Sequence, residues 1–128
     1  MSSFRIDAST ITPAVHLDEC TSRLVLEGDC YPENPVAFFE PIFGALEDHL
    51  ATARPATFVA DFRLRYVNSA STVALHRLFS VLDLASEAGA RVRITWVHDP
   101  EDDVNEELGH DLSSGCRHAE FAQQAAPA

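Results

Sequence analysis

The sequence predicts a single α/β domain, a mixed four-stranded sheet with helices mainly on one face. Three observations lead there. Segments that alternate apolar and polar residues, as strands do, are interleaved with segments of helical period. Two short strands joined by a turn come first, and strand–helix–strand units follow, which favour parallel neighbours with right-handed crossovers. The strands alternate instead of being apolar throughout, which leaves one sheet face more open. A chain of 128 residues suits one core. The domain is expected to span residues 1–128, with its core over about 12–121 and a frayed tail over 122–128.

Each element has its own warrant. Residues 13–17 and 23–27 read as the two short strands, with Leu24 and Leu26 alternating against Arg23, Val25 and Glu27. Gly28-Asp29 ends the second. Asn34 is a good helix N-cap and Pro35 suits the first helical position. The helix that follows is expected to bury Phe39, Ile42, Phe43, Leu46 and Leu50, with Pro41 kinking it or shifting its start. Arg54-Pro55 breaks it. From 57 to 67 the alternation is clean: Phe58, Ala60, Phe62, Leu64 and Tyr66 point one way, Thr57, Val59, Asp61, Arg63 and Arg65 the other. In the second helix Val73, Ala74, Leu78, Val81, Leu82 and Ala85 line an apolar face that Leu75 and Phe79 widen, and Gly89 is the expected C-cap. Residues 91–98 form the last strand, with Val92, Ile94 and Trp96 inward. The acidic stretch 99–111 gives a loop and a short helix, and Phe121 docks the C-terminus.

Composition narrows the function. Twenty acidic residues against nine basic give a formal charge of -11, which argues against nucleic acid and against an anionic membrane surface. All nine basic residues are Arg, so Schiff-base chemistry and a P-loop lysine are excluded. The first residues lack the apolar core of a signal peptide, and no apolar run approaches a membrane span. Cys20, Cys30 and Cys116 have neither CxxC nor zinc spacing and read as free thiols of a reducing cytoplasm.

The joint Tyr66-Val67-Asn68-Ser69-Ala70-Ser71-Thr72 stands out. It lies where a strand gives way to a helix, and it gathers three hydroxyls and an Asn. Such a cluster is either a plain helix cap or a place where a phosphate can sit, because a helix N-terminus offers unpaired N–H groups and partial positive charge.

Two blocks carry a family resemblance. Cys30-Tyr31-Pro32-Glu33-Asn34-Pro35 is similar to the SYPENP-type motif of SiaC-like regulatory phosphoproteins, and Tyr66-Val67-Asn68-Ser69-Ala70-Ser71 resembles their YxNSSS-type motif. Ile94-Thr95-Trp96-Val97-His98 with the acidic residues after it, and the early Thr12-Pro13, fit the same pattern over residues 12–121. The resemblance implies a STAS-like fold and a small bacterial partner-switching protein without enzymatic activity or cofactor. It implies a serine/threonine kinase of histidine-kinase-like fold, a metal-dependent serine/threonine phosphatase, and a diguanylate cyclase. The unphosphorylated form would bind and activate that cyclase, raising cyclic di-GMP and promoting biofilm. By motif position Ser69 is the expected phosphate acceptor, with Ser71 and Thr72 as fallbacks. Tyr31, Pro32, Glu33, Asn34, Asn68 and Ser71 are the expected partner contacts. The chain departs from the pattern at Cys30, where the family has Ser, at Ala70, and in lacking a Lys after the hydroxyl run.

Other features are weighed against this. Arg63, Arg65, Arg91 and Arg93 share the polar parity of two neighbouring strands, as an anion or partner patch or as a solvated face paired with Asp61 and Glu27. His98 beside Asp99, Asp102 and Asp103 reads as part of a solvated acidic loop, and no metal site is expected. Two further readings stay open: a constitutive adaptor that phosphorylation does not regulate, and a small ligand-binding domain or enzyme with a pocket near Ser69.

Overall fold

A computed structural model describes residues 3–126. Along the chain come β1 (Ser3–Ile6), β2 (Ala14–Asp18), β3 (Arg23–Cys30), α1 (Pro35–Ala53), β4 (Thr57–Val67), α2 (Ser69–Glu87), β5 (Arg91–His98), α3 (Asp103–Ser113) and β6 (Glu120–Ala125). The sheet is mixed and six-stranded, in the order β1-β2-β3-β4-β5-β6. β1 to β3 form an antiparallel meander, and β3 to β6 run parallel. Expected strands and helices recur, but the sheet gains one strand at each edge. Residues 122–125, assigned to a frayed tail, pair with β5 instead as part of β6, and Phe121 docks as expected, its ring on Phe79 with centroids 6.2 Å apart. Residues 127 and 128 of that tail lie outside the described residues.

The helices cover one face. Leu24, Leu26, Phe58, Phe62, Leu64, Ile94 and Trp96 from the strands meet Phe39, Ile42, Leu46, Leu75, Leu78, Phe79 and Leu82 from the helices in a single buried cluster. Trp96 sits at its centre, stacked on Phe62 at 5.9 Å and edge-on to Phe79 at 6.2 Å. Its indole N–H donates to the Asn105 carbonyl (3.0 Å), and Asn105 Nδ2 donates to the Leu64 carbonyl (2.7 Å). α3 can sit this close only because residue 109 is Gly: a Cβ there would lie 2.5 Å from Trp96 Cδ1. The opposite face carries exposed Arg63, Arg91 and Arg93, with buried Asp61 paired to Arg23.

Four expectations change in detail. α1 continues through Pro41; both Pro41 and Ala37, whose carbonyl loses its helical donor, are exposed, so water can serve that carbonyl. Leu50 packs on the core but stays half-buried, and His49 beside it is buried. His49 bonds Ser22 Oγ at 3.1 Å and faces Glu19 at 3.8 Å, which ties α1 to the β2–β3 turn. Val73 is exposed because α2 turns Leu75, Leu78, Phe79 and Leu82 inward. Tyr66 leaves the core.

Gly89 closes α2 as expected. It has φ +123°, its N–H donates to the Ser86 carbonyl (3.1 Å), and Ala90 N–H donates to the Ala85 carbonyl (3.1 Å), a Schellman pattern. Asp83 Oδ1 then accepts from the backbone N–H groups of Arg117, His118 and Ala119 (3.1, 2.8 and 2.8 Å), which fixes the approach to β6. Partial burial works against ionisation of Asp83, but these three donors outweigh it and hold its pKa below the ordinary value. Replacing Gly109 by Ala should drive a methyl into Trp96 and cost about 2 kcal/mol, the usual size of an overpacking penalty. Urea denaturation followed by Trp96 fluorescence should show that loss; an unchanged midpoint would contradict the packing.

Candidate functional site

Parallel β3 and β4 end side by side, and each feeds a helix at the same end of the sheet. Both helices are capped by Asn. Asn34 Oδ1 accepts from Ala37 N–H (3.1 Å) and Asn68 Oδ1 from Ser71 N–H (3.0 Å). Asn68 also joins the two segments: its N–H donates to the Cys30 carbonyl (3.0 Å) and its Nδ2 to the Pro32 carbonyl (3.5 Å). The two sequence motifs are therefore one surface. Tyr31 and Tyr66 meet edge to face across it, centroids 5.4 Å apart. Tyr31 is anchored in turn, its hydroxyl donating to the Thr10 carbonyl (3.0 Å) and its N–H to the Ile11 carbonyl (2.8 Å).

A bulge puts Tyr66 there. β3 and β4 stay in step up to Gly28↔Leu64, and then Asp29 pairs with Tyr66, so Arg65 is the extra residue. Beyond that point the parity of β4 flips: Tyr66 is 56% exposed and Val67 packs on the core opposite buried Cys30. Gly28, at φ +127°, supplies the backbone conformation for the shift.

The three hydroxyls have three different fates. Ser69 is the first residue of α2 and is exposed. The N–H groups of Ser69 and Ala70 have no partner among the described residues, which leaves two donors beside that hydroxyl. Thr72 is half-buried, and its hydroxyl donates to the Ser69 carbonyl. Ser71 is fully buried at 0% exposure, at odds with an accessible fallback acceptor or partner contact: its position in the first turn faces Cys30 and the core. The Ser71 Oγ makes no hydrogen bond of ordinary geometry. Burial pushes the Cys30 thiol up to about 11, with the neighbouring Ser71 hydroxyl pulling the other way.

Pro32, also an expected contact, is buried and accepts from Asn68 Nδ2 through its carbonyl. Tyr31, Glu33 and Asn34 are exposed as expected, and Asn68 is half-buried. Sequence reasoning missed Tyr66, Val36 and Val73, all exposed apolar side chains in or beside the two first turns; nothing short of the bulge could have turned Tyr66 outward. The arginines do not converge. Arg65 bonds Asp29 (3.3 Å) and Arg91 meets Glu120 (3.6 Å). Arg93 stands level with Val59, so Arg63 is four residues further along, about 13 Å at strand rise.

This arrangement is suited to binding. No His or carboxylate bonds the Ser69 hydroxyl among the described residues, and a nucleophile would need such a base. Apart from Glu33 and the Ser69 hydroxyl, its exposed side chains are aromatic, aliphatic and amide, as in the centre of a protein–protein contact. Thiol labelling at pH 8 tests the burial: Cys20 should react at once, Cys116 more slowly, and Cys30 only on unfolding. Prompt labelling of Cys30 in the native protein would contradict its place under α2.

Comparisons with known proteins agree with this geometry. A model of the SiaC family regulatory phosphoprotein matches residues 6–126. An uncharacterised protein of Pseudomonas aeruginosa (strain UCBPP-PA14) is 32% identical over 126 residues, 98% of either chain. The crystal structure of apo-SiaC from Pseudomonas aeruginosa superposes with a TM-score of 0.90 at 31% identity, over 98% of this chain and 100% of that one. SiaC in the crystal structure of diguanylate cyclase SiaD in complex with its activator SiaC does so with a TM-score of 0.90 at 30% identity, over 96% and 99%. The chain belongs to the SiaC family of regulatory phosphoproteins.

Proposed function

We propose that this protein is a non-enzymatic switch whose unphosphorylated form binds and activates a diguanylate cyclase, and that a phosphate on Ser69 turns the contact off. The observation that carries the reading is the exposed Ser69 hydroxyl at the start of α2, next to two unpartnered N–H groups, on an end of the sheet that also exposes Tyr31, Tyr66, Val36 and Val73. The relative SiaC, an activator of the cyclase SiaD, supports the choice of partner.

The physics makes an off-switch. A phosphate at Ser69 would sit at the positive end of α2, so the domain tolerates it. It would bring roughly two negative charges and a hydration shell onto a contact surface that is otherwise uncharged apart from Glu33. A partner that packs apolar atoms around a bare hydroxyl would have to desolvate that charge, and affinity would fall. The reading includes a histidine-kinase-like serine/threonine kinase to add the phosphate, a metal-dependent phosphatase to remove it, and a cytoplasmic setting in which cyclic di-GMP is made.

Mass spectrometry after incubation with the kinase and ATP should place one phosphate on Ser69 and none on buried Ser71. In a pull-down, Ser69→Ala should retain the cyclase and Ser69→Glu should lose it at least tenfold. Equal retention of both would sink the switch and leave a constitutive adaptor. Ester or phosphate turnover abolished by Ser69→Ala would establish an enzyme instead.

A further inference from the structure

The sheet has two edges, and they are not alike. β1 is four residues long and carries Arg5, the usual way to keep an edge from pairing. β6 runs for six residues, Glu-Phe-Ala-Gln-Gln-Ala, in unbroken register with β5 from Arg93↔Glu120 to His98↔Ala125. It has no proline, no bulge and no basic residue, and its one charge is at its first position. Its outward backbone groups take no partner among the described residues. Such a strand is a template for strand addition.

The template is also held in shape. Phe121 packs on Phe79, Gln123 Nε2 donates to the Glu106 carbonyl (2.7 Å), and Ala126 N–H donates to the His98 carbonyl (2.7 Å). α3 therefore lies beside β6 on the helix side, and its exposed Asp103, Glu106, Glu107 and Asp111, with His110 the one basic side chain among them, give that helix an acidic surface. On the other face, the nearby Arg91 is already engaged by Glu120.

We propose that the β6 edge is a docking site for an extended basic peptide segment of a partner protein, added as a seventh strand with its positive side chains over the α3 carboxylates. Main-chain hydrogen bonds supply the affinity and the acidic surface of α3 supplies the selectivity. A second copy is the wrong occupant. Antiparallel β6–β6 pairing would keep both sets of helices on the same face and set one acidic α3 against the other, in a chain already at -11. The site stands apart from the Ser69 surface, since β5 separates β6 from β4.

The test uses the whole protein and a labelled seven-residue peptide of alternating lysine and valine. A control peptide of the same sequence carries N-methyl groups on alternate amides, which blocks ladder pairing without removing charge. Saturable binding is expected, with at least tenfold slower amide exchange within residues 120–125 and no change at 69–72. N-methylation should weaken it at least tenfold, as should Glu106→Gln combined with Glu107→Gln in a variant whose circular dichroism is unchanged. Equal binding of the N-methylated peptide would reduce the effect to diffuse charge and overturn the proposal. So would protection elsewhere in the chain, or self-association of the free protein through β6 in sedimentation.

Discussion

Asn68 is the residue on which the rest of this surface depends. Its backbone N–H reaches the end of β3, its amide nitrogen reaches the loop after it, and its amide oxygen caps α2. One side chain thus sets where the helix begins and how far it stands from the first motif. A Ser or Asp cap would keep the helix bond but could not donate to Pro32 at the same time, since an ionised carboxylate only accepts and a hydroxyl is too short to do both. Capping and site-building are one job here, which is why a residue that looks like an ordinary cap marks a functional surface.

The bulge opposite Gly28 is the second constraint, and it works by parity. Up to Leu64 the strand delivers alternate residues to the core; after the extra residue it delivers Val67 instead of Tyr66. That single slip turns a would-be core aromatic into half of the exposed Tyr31–Tyr66 pair. It also brings Val67 level with Cys30, so that the N–H of the next residue, Asn68, reaches the Cys30 carbonyl. Ser71 then falls on the inner side of the first turn and Ser69 on the outer, and the helical period sorts the hydroxyls into a buried one and an accessible one.

Much of this was legible in the sequence, and the failures have physical causes. The alternation of residues 57–64 and 91–96, the Asn34-Pro35 start and the Gly89 stop were read from local chemistry, and the structure keeps them. The edge strands were not legible: Ser3–Ile6 and Glu120–Ala125 are short, weakly patterned, and made into strands by their neighbours. Tyr66 was misplaced because strict alternation cannot announce an inserted residue. The burial of Ser71 was not legible because motif position says nothing about which side of a helix turn faces the core. The arginine patch shared a parity, as expected, but parity puts residues on one face without bringing them together.

The family assignment and the geometry meet at the same place, where two Asn-capped helices start from adjacent parallel strands. The central claim is that both motifs form one partner-binding surface. Hydrogen exchange of the protein alone and in an equimolar complex with its diguanylate cyclase tests it most directly. The account predicts slowed exchange in residues 30–38 and 66–73 together, with the open arginine face unchanged. Slowing in only one of these segments, or on β1 and the arginine face instead, would contradict it.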